Sequence, residues 1–219
     1  MAPRPFIYEP PKSPIDVIYE DKHIVLVNKP SGLLSVPGKS EGHKDCLESR
    51  LRAVFPEILL VHRLDHPTSG VMVFARTRHA QRHLGLQFEK RQIQKSYLAR
   101  VWGKLKGNSG HINLPLICDW PNRPKQMVCF ERGKSAITNW VLESVQGSVS
   151  RLQLHPKTGR SHQLRVHCLA IGHPILGDNF YAHNDAFEAA DRLQLHAHSI
   201  SFRHPDGGSF MTLEVPCPF

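Results

Sequence analysis

LLVHRLDHPTSGVMVFARTRHAQRHLGLQFEKRQIQKSYLARVWG, Leu59 to Gly103, decides the fold class, because it holds in order a strand, a polar loop, a buried strand, a helix and another strand. LLVH leads in, and VMVFA looks like a fully buried strand. The loop around Asp65 to Ser69 separates them. Thr77 to Arg91 predicts a helix: Ala80, Leu84 and Phe88 follow an i, i+4, i+8 line, while Arg78 and Arg82 share another line and make the remaining face basic. QKSYLARVWG then alternates as a strand should.

Working outward, Asp16 to Pro30 reads as two strands joined by a polar turn at Glu20 to Lys22, and the chain breaks at SGLLSVPG. Cys46 to Phe55 sets Leu47, Leu51 and Val54 at helical spacing, with Pro56 ending the helix. Gly103 to Gln126, rich in Gly, Pro and Asn, reads as a long surface excursion. Further strands are expected at Met127 to Phe130, Ala136 to Val145, Val149 to His155, Leu193 to Arg203 and Phe210 to Val215, the last two forming a hairpin through HPDGG. Ser161 to Ala170 predicts a short helix with Leu164, Cys168 and Ile171 as its buried line, closed by Gly172 and Pro174. The sum is an α+β fold, a mainly antiparallel mixed sheet with a few flanking helices. Residues 1–14 read as an N-terminal arm and 15–219 as one domain.

The 219 residues carry 28 Lys and Arg against 19 Asp and Glu, a formal charge of +9 that favours a polyanionic partner. No window approaches the roughly 18 apolar residues of a spanning helix, which argues against a membrane partner. MAPRPFIYEPPKSP lacks the apolar core of a signal peptide, so a cytoplasmic location is expected. Five cysteines, scattered and never spaced as CxxC, indicate neither a disulfide framework nor zinc.

Two segments could carry chemistry. In VHRLDHPTSG, Val61 to Gly70, Asp65 sits where a strand meets a loop, a place that holds a nucleophile or base at fixed reach; an Asx turn with Thr68 or Ser69 is an equal alternative. HPKTGRSHQLRVH, His155 to His167, gathers Arg160, His162, Arg165 and His167 around a helix start, suited to a phosphate or a carboxylate. Arg165 is next to the buried line, so a structural ion pair and a pair serving the site are both open. The i, i+5 spacing of His162 and His167 puts them on different faces, so hydrogen-bonded histidines are expected and no metal. Tyr97 is either a core tyrosine or a ring for an extruded base.

Taken together, NKPSGLLSVPG (Asn28 to Gly38), HRLDHPTSG (His62 to Gly70), KSYLARVWG (Lys95 to Gly103), TGRSHQLRVH (Thr158 to His167), ILGDNFY (Ile175 to Tyr181) and LHA (Leu195 to Ala197) resemble the RluA-type RNA pseudouridine synthases, in that family's order. CDWPNRPKQ, Cys118 to Gln126, looks like the segment of those members that act on both 23S rRNA and the anticodon stem-loop of tRNA.

The resemblance implies isomerisation of uridine in structured RNA without a cofactor: the N1–C1′ bond is cut, the uracil turns, and C5 joins C1′. Asp65 matches the catalytic aspartate, as nucleophile or as base toward the sugar. Tyr97 matches the tyrosine packed on uracil, Arg165 the arginine paired with the aspartate, and Arg63 a residue near the flipped nucleotide. Within the same motifs His62, Thr68, Lys95, Arg160, His162 and Gln163 are the expected substrate and RNA contacts. Arg78 and Arg82 on the basic helix, with Arg123 and Lys125 on the Cys118 to Gln126 loop, are expected to grip a tRNA anticodon stem-loop or a 23S rRNA stem-loop.

Some members carry an N-terminal S4 module; this chain starts almost at once with the first catalytic strand, so RNA selection by the catalytic body is expected, with no S4 domain, no obligate protein partner and a monomeric state. The physics agrees with the assignment. A paired uridine must be unstacked before its sugar is reachable, and opposite charge beside Asp65 would keep it ionised. Two rivals remain: an RNA-binding or RNA-folding protein without chemistry, which needs no residue in particular at position 65, and a nucleoside-type hydrolase, for which no second catalytic carboxylate stands near the motif. Asp178 is the nearest, and LGD reads as a turn.

Overall fold

A computed structural model of the protein describes residues 8–219, so the first half of the expected arm lies outside the described residues. The described chain divides into two compact units, one of residues 8–95 and 196–218, the other of residues 96–195 with Phe219.

In the first unit β1 (Asp16–Glu20) and β2 (Ile24–Lys29) form the expected antiparallel hairpin. Its turn is fixed by Asp21, whose carboxylate accepts the N–H groups of His23 and Ile24 at 2.7 and 2.9 Å. The chain then enters α1 (Leu47–Val54), capped by the Cys46 side chain, and β3 (Leu59–Leu60). Strand β4 (Ser69–Ala75) is buried at all seven positions and pairs with β2 and β3, as an unbroken apolar run requires. Helix α2 (Arg78–Glu89) starts at Thr77, whose hydroxyl accepts the N–H of Ala80. Ala80 and Leu84 face inward; the third inward residue is Gln87 rather than Phe88, because its carboxamide exchanges two hydrogen bonds of 2.8 Å with the backbone of Arg203. The chain then forms β5 (Gln94–Trp102).

The second unit corrects the reading of Gly103 to Gln126 as an excursion. That stretch contains β6 (Ser109–Asn113) and β7 (Leu116–Cys118), and β8 (Gln126–Val128) closes a two-stranded ribbon with β7. Strand β6 was invisible because SGHIN buries only Ile112, and its order comes from antiparallel pairing with β9 (Ile137–Gln146). Strand β10 (Val149–Pro156) pairs with β9 and with β5. Ala99, Val101, Leu152 and Leu154 of this sheet pack with Leu164 and Cys168 of α3 (Gln163–Ala170). The reading of α3 as a helix with one buried line is also corrected: Gln163 to Cys168 are all buried, polar side chains included. It begins at Gln163 because His162 is left-handed, with φ 52°. A short α4 (Asn184–Glu188), unanticipated, follows.

Strands β11 (Leu195–Arg203) and β12 (Phe210–Glu214) make the predicted hairpin. Within the first unit β11 runs parallel to β4, with His196 opposite Ser69 and Ala197 opposite Gly70. Gly70 allows this: its φ is +117°, and a Cβ there would meet the Ala197 backbone. With every other strand pairing described above antiparallel, the α+β expectation of a mainly antiparallel mixed sheet holds. Among the described residues no helix is long and apolar enough to cross a membrane.

Candidate active site

Asp65 stands on a loop that NKPSGLLS holds in place. Thr68 N–H donates to the Asp65 carbonyl at 3.1 Å and closes the turn through His66 and Pro67. Ser35 Oγ donates to Leu64 O at 2.7 Å and accepts Leu64 N–H at 3.2 Å. Ser31 Oγ donates to Pro67 O at 2.7 Å, and Gly32 N–H to His66 O at 3.1 Å. Every carbonyl from Leu64 to Pro67 is thereby engaged, while the Asp65 residue itself is half-buried. The loop is therefore rigid at its backbone and polar at its surface, as a site held by its surroundings must be.

Lys29 is the centre of that brace. It is fully buried, and its Nζ donates to the carbonyls of Pro30, Leu33 and His66 at 2.9, 2.6 and 3.1 Å. Three N–H bonds match three carbonyl oxygens, the arrangement that makes a buried ammonium tolerable. Lys29→Met is expected to strand those carbonyls and cost about 3 kcal/mol or more of stability, read from urea unfolding. Activity should fall with it, since His66 adjoins Asp65.

His62 and Lys95 belong to the same unit. His62 Nε2 accepts the N–H of Val73 at 3.1 Å, which requires a neutral ring, and the ring lies 4.8 Å from that of Phe88. Burial and then the nearby Lys95 charge push His62 down to about 3, and burial pushes Lys95 down to about 8. Between pH 6.5 and 3 an unfolded His62 takes up a proton that the folded one refuses, so stability falls as pH drops through that window. In His62→Gln, which keeps an acceptor for Val73, the slope of unfolding free energy against pH should flatten there. Thr68 is buried, Arg63 is exposed, and Arg78 and Arg82 are exposed on α2.

In the second unit Arg165 is 1% exposed. Its Nε and Nη2 donate to the two oxygens of Asp178 at 2.7 and 2.6 Å, and Nη2 to Asn179 Oδ1 at 3.2 Å. The guanidinium carbon lies 5.1 Å from the ring centres of both Phe180 and Tyr181. Asp178 does form the turn expected of LGD, accepting the N–H groups of Phe180 and Tyr181, but it is also a buried counter-ion, which sequence reasoning missed. The available signal was that a buried arginine needs a carboxylate, and Asp178 is the first acidic residue after it.

Tyr97 is half-buried beside the core of this unit. Gln163 is buried, its carboxamide accepting from Thr158 Oγ1 and Arg160 N–H and donating to Ile137 O and Thr138 Oγ1. It therefore shapes the entry to α3 from within. Arg160 is exposed, with Nε on Ser135 O at 3.1 Å. His167 places its ring nitrogens 2.9 Å from Thr138 Oγ1 and 3.1 Å from Leu114 O, and His162 Nδ1 is 2.7 Å from Tyr181 Oη. That phenol accepts the N–H of Gln126 at 2.8 Å, tying the loop that bears Arg123 and Lys125 to the helix that bears Arg165. The expected site residues thus fall into two groups, one around Asp65 and one around Arg165 and Tyr97.

Residues 23–170 match the family model described as RNA pseudouridylate synthase. The dual-specificity RNA pseudouridine synthase RluA of Salmonella typhi is 54% identical over 214 residues, 97% of this chain and 98% of that protein. The protein of the same name from Escherichia coli (strain K12) is 53% identical with the same coverage. Among solved structures, human RNA pseudouridylate synthase domain containing 1 is similar with a TM-score of 0.80 and 27% identity, covering 96% of this chain and 87% of that one.

Proposed function

The chain belongs to the RNA pseudouridylate synthase family, whose members isomerise uridine to pseudouridine, and from that premise we propose a site-specific RNA isomerase in which the Asp65 carboxylate initiates the chemistry on both a tRNA anticodon stem-loop and a 23S rRNA stem-loop. The observation that carries the assignment is the braced loop: the half-buried Asp65 stands on a backbone whose carbonyls from Leu64 to Pro67 are all engaged.

The reaction needs no co-reactant. The N1–C1′ bond breaks, the uracil rotates, the C5–C1′ bond forms, C5 loses a proton and N1 gains one. One carboxylate suffices where a simple glycosidase generally uses two, since the leaving base is retained and re-used. The target uridine is unstacked first. On the match of motifs, Tyr97 takes the place against the uracil ring and the C5 proton step, Arg165 matches the family's arginine that goes with the aspartate, and Arg63 attends the flipped nucleotide. The catalytic domain spans residues 15–219, and the exposed Arg78, Arg82 and Arg123 contact phosphate.

The test is incubation with uridine-labelled anticodon stem-loop and rRNA fragments, with digestion to nucleosides. Pseudouridine without free uracil is the expected result. Free uracil would make the protein a hydrolase, and unchanged uridine in bound RNA would leave a binding protein.

A further inference from the structure

Of the three tryptophans, Trp140 is buried and Trp102 half-buried, whereas Trp120 is 64% exposed. Exposing so large an apolar ring forgoes burial free energy, at about 25 cal/mol per Å² of apolar surface. Its presentation is also ordered. Trp120 opens a turn of 3₁₀ helix, Trp120–Asn122, between β7 and β8. The turn is closed by Asn122 N–H on Asp119 O at 3.0 Å, Lys125 N–H on Asn122 O at 3.1 Å and Asp119 N–H on Lys125 O at 2.9 Å. Asn122 Nδ2 adds a 2.9 Å bond to the Asp119 carboxylate. Its base is anchored through Gln126 to the Tyr181 hydroxyl.

We propose that Trp120, with the Arg123 guanidinium set 4.4 Å over its ring, is a stacking site for an unpaired base of hairpin RNA. An aromatic ring layered with a guanidinium is the surface on which unstacked bases settle, and a preformed one loses little entropy when they do. The surrounding charge selects the same partner: from 119 to 134 the ribbon carries Arg123, Lys125, Arg132 and Lys134 against Asp119 and Glu131. A continuous duplex offers such a ring no free base face away from its ends, so the ligand is a loop nucleotide. This rests on the RNA-modifying reading only in taking RNA as the partner. It adds a residue that tells loops from duplex by contact with a base.

The experiment compares wild type, Trp120→Ala and Trp120→Phe for binding to an RNA hairpin with an unpaired loop and to a continuous duplex of equal length, by filter retention and tryptophan fluorescence. Hairpin binding should quench a fluorescence component that Trp120→Phe lacks. Trp120→Ala should weaken hairpin binding on the order of tenfold to a hundredfold, with duplex affinity within twofold and turnover at saturating hairpin unchanged. Trp120→Phe should recover most of the loss, which separates stacking from any effect on the fold. Wild-type affinity of Trp120→Ala for the hairpin, or equal losses on hairpin and duplex, would overturn the proposal; the second outcome would make the ring a general contact. Retained Trp120-dependent quenching in a protein that forms no pseudouridine would leave this site standing and remove the isomerase reading.

Discussion

Asp65→Asn is expected to abolish release of tritium from C5 of labelled uridine in a stem-loop substrate, a loss on the order of 10⁴-fold or more, while RNA affinity stays within a few-fold. The two readouts part because they depend on different atoms. Affinity is carried mainly by phosphate contacts, for which exposed arginines such as Arg78, Arg82 and Arg123 are available. Chemistry requires an anionic oxygen, and asparagine has almost the same shape without the charge. The Asp65–Thr68 turn uses the backbone carbonyl of residue 65, which the substitution preserves, so unfolding should be nearly unchanged. A variant that lost stability and activity together would point to the alternative in which Asp65 is a turn-forming residue.

Asp178→Ala should be strongly destabilising, costing about 3–5 kcal/mol in urea unfolding. It removes both oxygens that Arg165 holds, and with them the acceptor for the N–H groups of Phe180 and Tyr181. A buried guanidinium deprived of this partner is the costliest kind of vacancy in a core. The double replacement Arg165→Met, Asp178→Leu should recover much of the lost stability, as apolar substitutes for a buried pair often do. It should recover none of the activity. That split would separate the pair's place in the fold from the cation's place in the reaction; full activity in the double variant would reduce Arg165 to a structural residue.

The sequence made the regular elements legible wherever burial left a period. VMVFA is apolar throughout, and it lies buried along β4. The spacing of Ala80 and Leu84 marks α2, which starts one residue later than expected because Thr77 caps it. Strand β6 escaped because its partner, not its composition, orders it, and α3 was misjudged because burying Gln163 and His167 depends on partners far away in sequence, Thr138 and Leu114. The candidate site was legible as motifs and opaque as mechanics. NKPSGLLS stood out by resemblance, yet nothing in its residue types says that Lys29 ends on three carbonyls, one of them from His66. Lysine in a motif reads first as a phosphate contact, and only its burial shows that it serves the backbone.

The decisive measurement is a crystal structure of the Asp65→Asn chain with an anticodon stem-loop bound. The target uridine is expected swung out of its stack, with C1′ about 3–3.5 Å from the residue 65 side chain. A uridine still stacked in the RNA, or a residue 65 side chain pointing away from the sugar, would contradict it.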